Sequence, residues 1–358
     1  MVREHLAVPM SAGAALYDNL LPRALPLFAF PSHAARCLVL GMGGGCDCFA
    51  AATLAKAWAE AIPTATVLHG NCIGRRPMPQ DHTTCTTHLF RCPPDVRPLE
   101  LGDEAYGSTR LETSIPRGPE GSPFLFVVPH KGAACEGLSA AEVTRRNTLA
   151  ICEGLAHLRV EFVLACDLGG DSLTGGVDFE SDPELGRDMQ VLHALRASDV
   201  PMLHMVLGPG CDGESSIEAM RAAVQEADRR RELQAVLPLD DLALQMASLA
   251  RTLAPSRTPN IIGGAMARKA EAAAGVAATD GDLCTISRHG RSRDVPWSWL
   301  TVALVFGSAS TATNEGLAAA AAVKRAADQG AAIEATDAVA VSSSAASASQ
   351  DGRRNPDG

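Results

Sequence analysis

Short apolar runs punctuate the chain, and several end at glycines or acids. Cys37-Leu38-Val39-Leu40-Gly41 contains no polar position, the pattern of a strand buried on both faces. Residues 47–61, rich in Ala and Leu, read as a helix, and 64–69 as a second strand. The segment 37–69 therefore predicts a β-α-β unit. Further apolar runs predict strands at 123–128, 160–166 and 201–207. Ser139 followed three residues later by Glu142 is a capping box, which opens a helix over 139–158. Asp182-Pro183-Glu184 predicts another helix start, with aspartate as cap and proline at the first helical position. Residues 214–231 add a helix and 239–277 two more. A late strand is expected at 282–288, and the apolar run 297–306 reads as a buried helix.

Strands and helices thus alternate with short spacers. The pattern predicts an α/β fold: a mostly parallel sheet with helices on both faces and a helical C-terminal part. Residues 1–335 read as a single domain with an irregular or helical lead-in over 1–35. An irregular insertion at about 70–121, rich in Pro, Gly, Thr and Cys, suggests loops and a short hairpin. The Ala/Ser-rich stretch 336–358 cannot bury a core and reads as a disordered tail.

Composition narrows the function classes. The 358 residues carry a net charge of −10, so no basic footprint exists for nucleic acid or for an anionic membrane surface. A local basic loop could still hold a small anion. No apolar run approaches the roughly 20 residues of a membrane helix. The start of the chain lacks a secretory pattern, and the odd number of cysteines, 11, reads as reduced thiols. A cytoplasmic protein is expected. Oligomeric state is left open, a homo-oligomer included.

Candidate chemistry gathers where predicted strands end. Gly41-Met42-Gly43-Gly44-Gly45-Cys46-Asp47 lies between a strand and a helix, where backbone N–H groups can approach a phosphate. No Gly-Lys-Ser/Thr follows, and Cys46 breaks the dinucleotide fingerprint. Asp47 could cap the helix, orient a ribose hydroxyl or bind a cation. Asp167-Leu168-Gly169-Gly170-Asp171 follows the fourth strand, and its two carboxylates suit Mg²⁺ or Mn²⁺. Gly208-Pro209-Gly210-Cys211-Asp212-Gly213-Glu214 adds two acids after the fifth strand. Simple turns whose acids satisfy loop N–H groups are the plain alternative in each case. Asn71, Arg75, Arg76, His130 and Lys131 also follow strands. Asp178, Glu180, Arg187 and Asp188 could reach the site or decorate a helix start. Arg288, His289, Arg291 and Arg293 form a basic cluster, either a solvated loop or a closure over an anionic ligand. The cysteines show neither zinc spacing nor a companion base, and no serine-hydrolase elbow exists.

Taken in order, the turns at 41–47, 167–176 and 208–214, with the acidic stretch 179–188, resemble domain-of-unknown-function family 1152. Cys46 stands where that pattern has glycine. The resemblance covers about 37–215, more weakly to about 305, and implies a Rossmann-like α/β fold without an established reaction.

The leading expectation is an enzyme acting on a phosphorylated small molecule or nucleotide, as a divalent-cation-dependent hydrolase or transferase. Gly43, Gly44 and Gly45 would hold phosphate, with Gly41, Asn71, Gly169, Gly170 and Asp47 completing the cofactor wall. Asp167, Asp171 and Asp212 would hold the metal. Asp171, Glu214 and His130 would supply acid–base chemistry. A nucleotide- or metabolite-binding regulatory protein without turnover is the alternative. An NAD(P)-dependent oxidoreductase ranks below both, because the fingerprint is broken and His69-Gly70-Asn71, not an acid, ends the second strand.

Overall fold

The computed structural model describes residues 23–24, 35–43, 45–75, 77–97, 110–128, 137–177, 183–253, 258–274, 282–288 and 290–307. Gly44, Arg76, His130, Lys131, Asp178, Glu180, His289, most of the lead-in and the expected tail at 336–358 lie outside the described residues. Among the described residues there are twelve strands: β1 (Arg23–Ala24), β2 (Arg36–Gly41), β3 (Thr66–Gly74), β4 (Thr83–Thr84), β5 (Leu89–Arg91), β6 (Phe124–Val128), β7 (Phe162–Leu168), β8 (Met202–Leu207), β9 (Leu233–Pro238), β10 (Leu283–Arg288), β11 (Arg291–Pro296) and β12 (Val302–Gly307). The helices are α1 (Asp47–Ala61), α2 (Arg110–Ser114), α3 (Ala140–Leu158), α4 (Asp171–Thr174), α5 (Arg187–Arg196), α6 (Ile217–Arg229), α7 (Asp240–Leu253) and α8 (Thr258–Ala273).

Ten strands form one sheet in the order β1-β9-β12-β8-β7-β2-β3-β6-β5-β4. Its centre, β8-β7-β2-β3-β6, is parallel throughout. The flanking strands β12, β9 and β1 on one side and β5 and β4 on the other are antiparallel, so the sheet is mixed. In the parallel centre the chain steps outward from β2 through β3 to β6, then returns to the other side of β2 for β7 and β8. The winding direction therefore reverses between β2 and β7. In open α/β sheets that reversal leaves a crevice at the C-terminal strand ends.

Strand alternation assigns the two faces. Cys37 and Val39 of β2 share a core with Phe49 and Trp58 of α1, Met220 of α6, Met246 of α7 and Ile262 of α8. Leu38 and Leu40 point the other way, into a core with Ile151 and Leu155 of α3 and Val191 and Leu195 of α5. Both faces of the parallel centre are covered, which is why β2 and β6 read as apolar runs and the polar residues of β3, β7 and β8 are themselves buried or half-buried.

Three expectations are corrected. The run 297–306 is not a helix. A single 3-10 turn, Trp299–Thr301, leads into β12, which is paired on both edges by β8 and β9. A short apolar run buried on every side has the same composition in a helix or a strand. Among the described residues the C-terminal part is helical at α7 and α8, and the chain then forms the β10–β11 hairpin and β12. The helix expected at Asp182-Pro183 begins later. Pro183–Leu185 is a separate 3-10 turn, and α5 starts at Arg187 with Gly186 at its cap position. Half of the capping box forms: the Ser139 hydroxyl accepts from the Glu142 N–H at 3.2 Å, while the Glu142 carboxylate turns to Arg145 and Arg146.

Candidate metal centre

The three glycine-acid turns are tied together by hydrogen bonds at the strand ends. The Met42 N–H donates to the Cys166 carbonyl at 3.0 Å, joining the first turn to β7. The Gly210 N–H donates to the Gly169 carbonyl at 2.6 Å, joining the second turn to the third. Asp47 is the first residue of α1, yet its carboxylate does not cap that helix. Oδ1 accepts from the Leu168 N–H at 3.0 Å and Oδ2 from the Gly43 N–H at 2.5 Å. Asp47 thus bridges the glycine turn and the end of β7.

Asp47, Asp167 and Asp188 converge. Each offers one carboxylate oxygen, and these lie within 4.8 Å of one another with all three residues buried. Asp167 is held by Ser172, with the Gly170 N–H and the Asp171 carboxyl also against it. Its Oδ2 accepts from the Ser172 N–H at 3.1 Å and from the Ser172 hydroxyl, while Oδ1 is buried without a hydrogen-bond partner. Ser172 is in turn fixed by His204 Nε2 at 2.8 Å. When the serine donates to Asp167, it accepts from His204, which sets Nε2 as the protonated nitrogen. Buried in β8, His204 has its pKa pushed down to about 3 by desolvation, so it stays neutral.

Three more acids border this trio. Asp212 is buried; its Oδ1 accepts from the Glu214 N–H at 3.1 Å, and Oδ2 has no partner. Asp171 and Glu214 are half-buried. Burial first, and then mutual repulsion, raises the pKa of Asp47, Asp171 and Asp212 well above the carboxylate range. Burial also lifts Asp167, against the hydrogen bonds from Ser172. Asp188 is lifted to about 7 by burial, although Arg187, 3.7 Å from its Oδ1, pulls the other way. Arg288 opposes the rise at Asp212. Six carboxyl groups thus face two described cations. Such a set must share protons or hold a cation, because burying unpaired charge costs several kcal/mol per ion. Three hard oxygen donors could hold Mg²⁺, Mn²⁺ or Ca²⁺.

The glycines serve this packing. A Cβ on Gly43 would fall on the Asp188 carboxylate, and one on Gly169 on the Asp212 carboxylate. Gly41 has the Asn71 amide oxygen and the Asp47 Cβ in the same position. Asn71 is fully buried beside Gly41 in the sheet register and donates to Glu112 Oε1 at 3.2 Å, so it braces the turn from behind. Gly45 and Gly170 take positive φ, 58° and 105°. The Gly43 N–H, expected to face a phosphate, is engaged by Asp47 instead.

The metal set expected from sequence was Asp167, Asp171 and Asp212. The structure groups Asp167 with Asp47 and Asp188, sets Asp171 in hydrogen-bond contact with Asp167 and Asp188, and packs Asp212 against Gly169. Asp188 had stood among the weaker candidates, and Ser172 and His204 carried no signal beyond their places near strand ends.

The chain matches no protein-family model, no curated protein and no solved structure. Among the described residues, no helix is long and apolar enough to cross a membrane.

Proposed function

We propose that the chain is a Rossmann-like, divalent-cation-dependent enzyme, a hydrolase or transferase acting on a phosphorylated small molecule or nucleotide. The observation that carries this reading is the convergence of Asp47, Asp167 and Asp188 at the crevice, with Asp167 Oδ1 buried and unpartnered. The parallel order, which reverses between β2 and β7, supports the Rossmann-like label. The resemblance to domain-of-unknown-function family 1152 belongs to the same proposal and rests on the three turns. No disulfide joins the described cysteines, which supports a reducing, cytoplasmic setting.

In this reading Asp47, Asp167 and Asp188 hold the cation. When bound, the cation would polarise a phosphoryl oxygen or lower the pKa of a water. Ser172, backed by His204, holds Asp167 with Oδ1 turned to the cluster. Asp171 and Glu214, half-buried at the border, hold or move the proton. Contact with the phosphate runs through the cation, not through the Gly43 N–H.

Thermal unfolding with Mg²⁺ or Mn²⁺ tests the reading. The wild type should gain a few degrees at cation concentrations well above Kd, and Asp167→Asn/Asp188→Asn should gain nothing. No response in the wild type, or an equal one in the double variant, would sink it. Phosphate release from a panel of nucleotides and sugar phosphates then separates an enzyme from the non-enzymatic alternative: cation-dependent binding without turnover would favour the regulatory binder.

A further inference from the structure

The β10–β11 hairpin places its arginines against expectation. In an antiparallel pair, residues directly opposite share a face. The register pairs Cys284 with Val295, Ile286 with Arg293, and Arg288 with Arg291. These six residues form one face. The other face carries Thr285 hydrogen-bonded to Asp294 at 2.6 Å and Ser287 to Ser292 at 2.8 Å, all exposed.

The arginine face is the inner one. Ile286 and Val295 are buried. Val295 lies 3.1 Å from where a Cβ of Gly210 would stand, and Ile286 3.3 Å from that of Gly213. The Arg288 Cβ is 3.6 Å from the same Gly213 position. Gly210 and Gly213 belong to the turn that bears Asp212 and Glu214, so the hairpin lies on the third wall of the acid cluster. A ribbon with one face to water ordinarily turns its charges outward. Here the outer face carries Ser, Thr and the hydrogen-bonded Asp294, and the three arginines share the face whose Ile286 and Val295 pack on the third turn.

The acids of the turn account for part of this. Arg288 acts electrostatically on Asp212, and its Nη1 donates to the Thr258 hydroxyl at 3.0 Å. They do not account for the tip. Arg288 and Arg291 stand directly opposite one another on one face, and like charges so placed destabilise a ribbon. Arg291 is exposed. An anion between the two arginines would relieve that repulsion, because guanidinium N–H forks bind phosphate oxygens bidentately.

We propose that Arg288 and Arg291 of the β10–β11 hairpin bind a phosphate of the substrate, next to the phosphate held at the acid cluster, so that the substrate carries two or more linked phosphates. The choice of a linked-phosphate substrate rests on the cation reading above; the hairpin as an anion site does not.

Isothermal titration with inorganic pyrophosphate and with orthophosphate, in Mg²⁺ and in EDTA, tests it, with Mn²⁺ binding measured separately. In Mg²⁺ the wild type should bind pyrophosphate at least tenfold more tightly than orthophosphate. Arg291→Gln and Arg288→Gln should each weaken pyrophosphate binding by roughly tenfold or more, and Arg291→Gln should leave Mn²⁺ affinity unchanged. Arg291 is exposed, so R291Q keeps the fold and decides the matter alone if R288Q unfolds. Equal pyrophosphate affinity in R291Q and wild type, or no preference of the wild type for pyrophosphate, overturns the proposal. Absence of Mn²⁺ binding in the wild type removes the cation reading only. The hairpin is then judged in EDTA, where R291Q must still bind pyrophosphate more weakly than wild type.

Discussion

At the scale of the residue, Gly169 shows most clearly what the glycine turns are for. Its φ is 119°, outside the range of L side chains, and the Asp212 carboxylate occupies the space of its missing Cβ. Gly169→Ala should therefore destabilise the protein by about 2 kcal/mol or more. Urea unfolding would measure this, and a loss below about 0.5 kcal/mol would contradict the packing described. The sequence announced close backbone approach at these glycines. It did not announce the approaching group, because Asp188 is brought to Gly43 by α5, far along the chain. A carboxylate and a phosphate ask the same space of a glycine. The rule for glycine turns after strands therefore marks where the acids gather, and in the first turn the Gly43 N–H goes to Asp47.

At the scale of the element, local chemistry was legible where it is self-contained. The N-cap of α3 needs only Ser139 and the Glu142 N–H, and both its signal and its hydrogen bond are present. Ser139→Ala should cost about 1 kcal/mol, readable by chemical denaturation. Full retention of stability would mean that the cap is idle. The five parallel strands were legible for a similar reason: two covered faces leave an apolar run. β12 was illegible by the same token, since its burial on both faces and both edges erased any period. β9, Leu233–Pro238, was passed over because it is short and follows directly on the polar end of α6. The hairpin arginines were visible as a cluster, but their common face depends on the register of β10 with β11, which composition does not carry.

At the scale of the whole molecule, the buried acids bend the pH dependence of stability. Asp188, near 3.8 ordinarily, is lifted to about 7, and Asp47, Asp171 and Asp212 are lifted as well. A raised folded pKa means that the folded state holds the proton more tightly. That stability is complete below the ordinary carboxylate value and is lost as pH rises through the folded value. Buried His69 and His204, lowered to about 4 and about 3, act in the opposite sense, but only below the ordinary histidine range. Above the ordinary histidine value of about 6.5 the histidines fall silent, and from there through the Asp188 value of about 7 the acids should dominate. In EDTA the Tm should fall across that interval. The stabilisation by Mg²⁺ or Mn²⁺ should grow over the same interval, because the cation competes with protons for the carboxylates. A Tm that rises in EDTA, or a cation effect independent of pH, would contradict a proton-sharing cluster.

The position of β12 has a consequence for the order in which the protein becomes itself. A ribosome delivers β2 through β8 in sequence, and with them Asp47, Asp167 and Asp188. Yet the Gly208 N–H, which opens the third turn, finds its partner in the carbonyl of Val302 at 2.9 Å. Until residues 302–307 emerge, β8 and β9 have a vacant lane between them, and β8 presents a bare edge of the kind that recruits stray strands. The nascent chain therefore carries its chemistry long before it can hold it in place. Closing the sheet and finishing the site are one late event in biosynthesis.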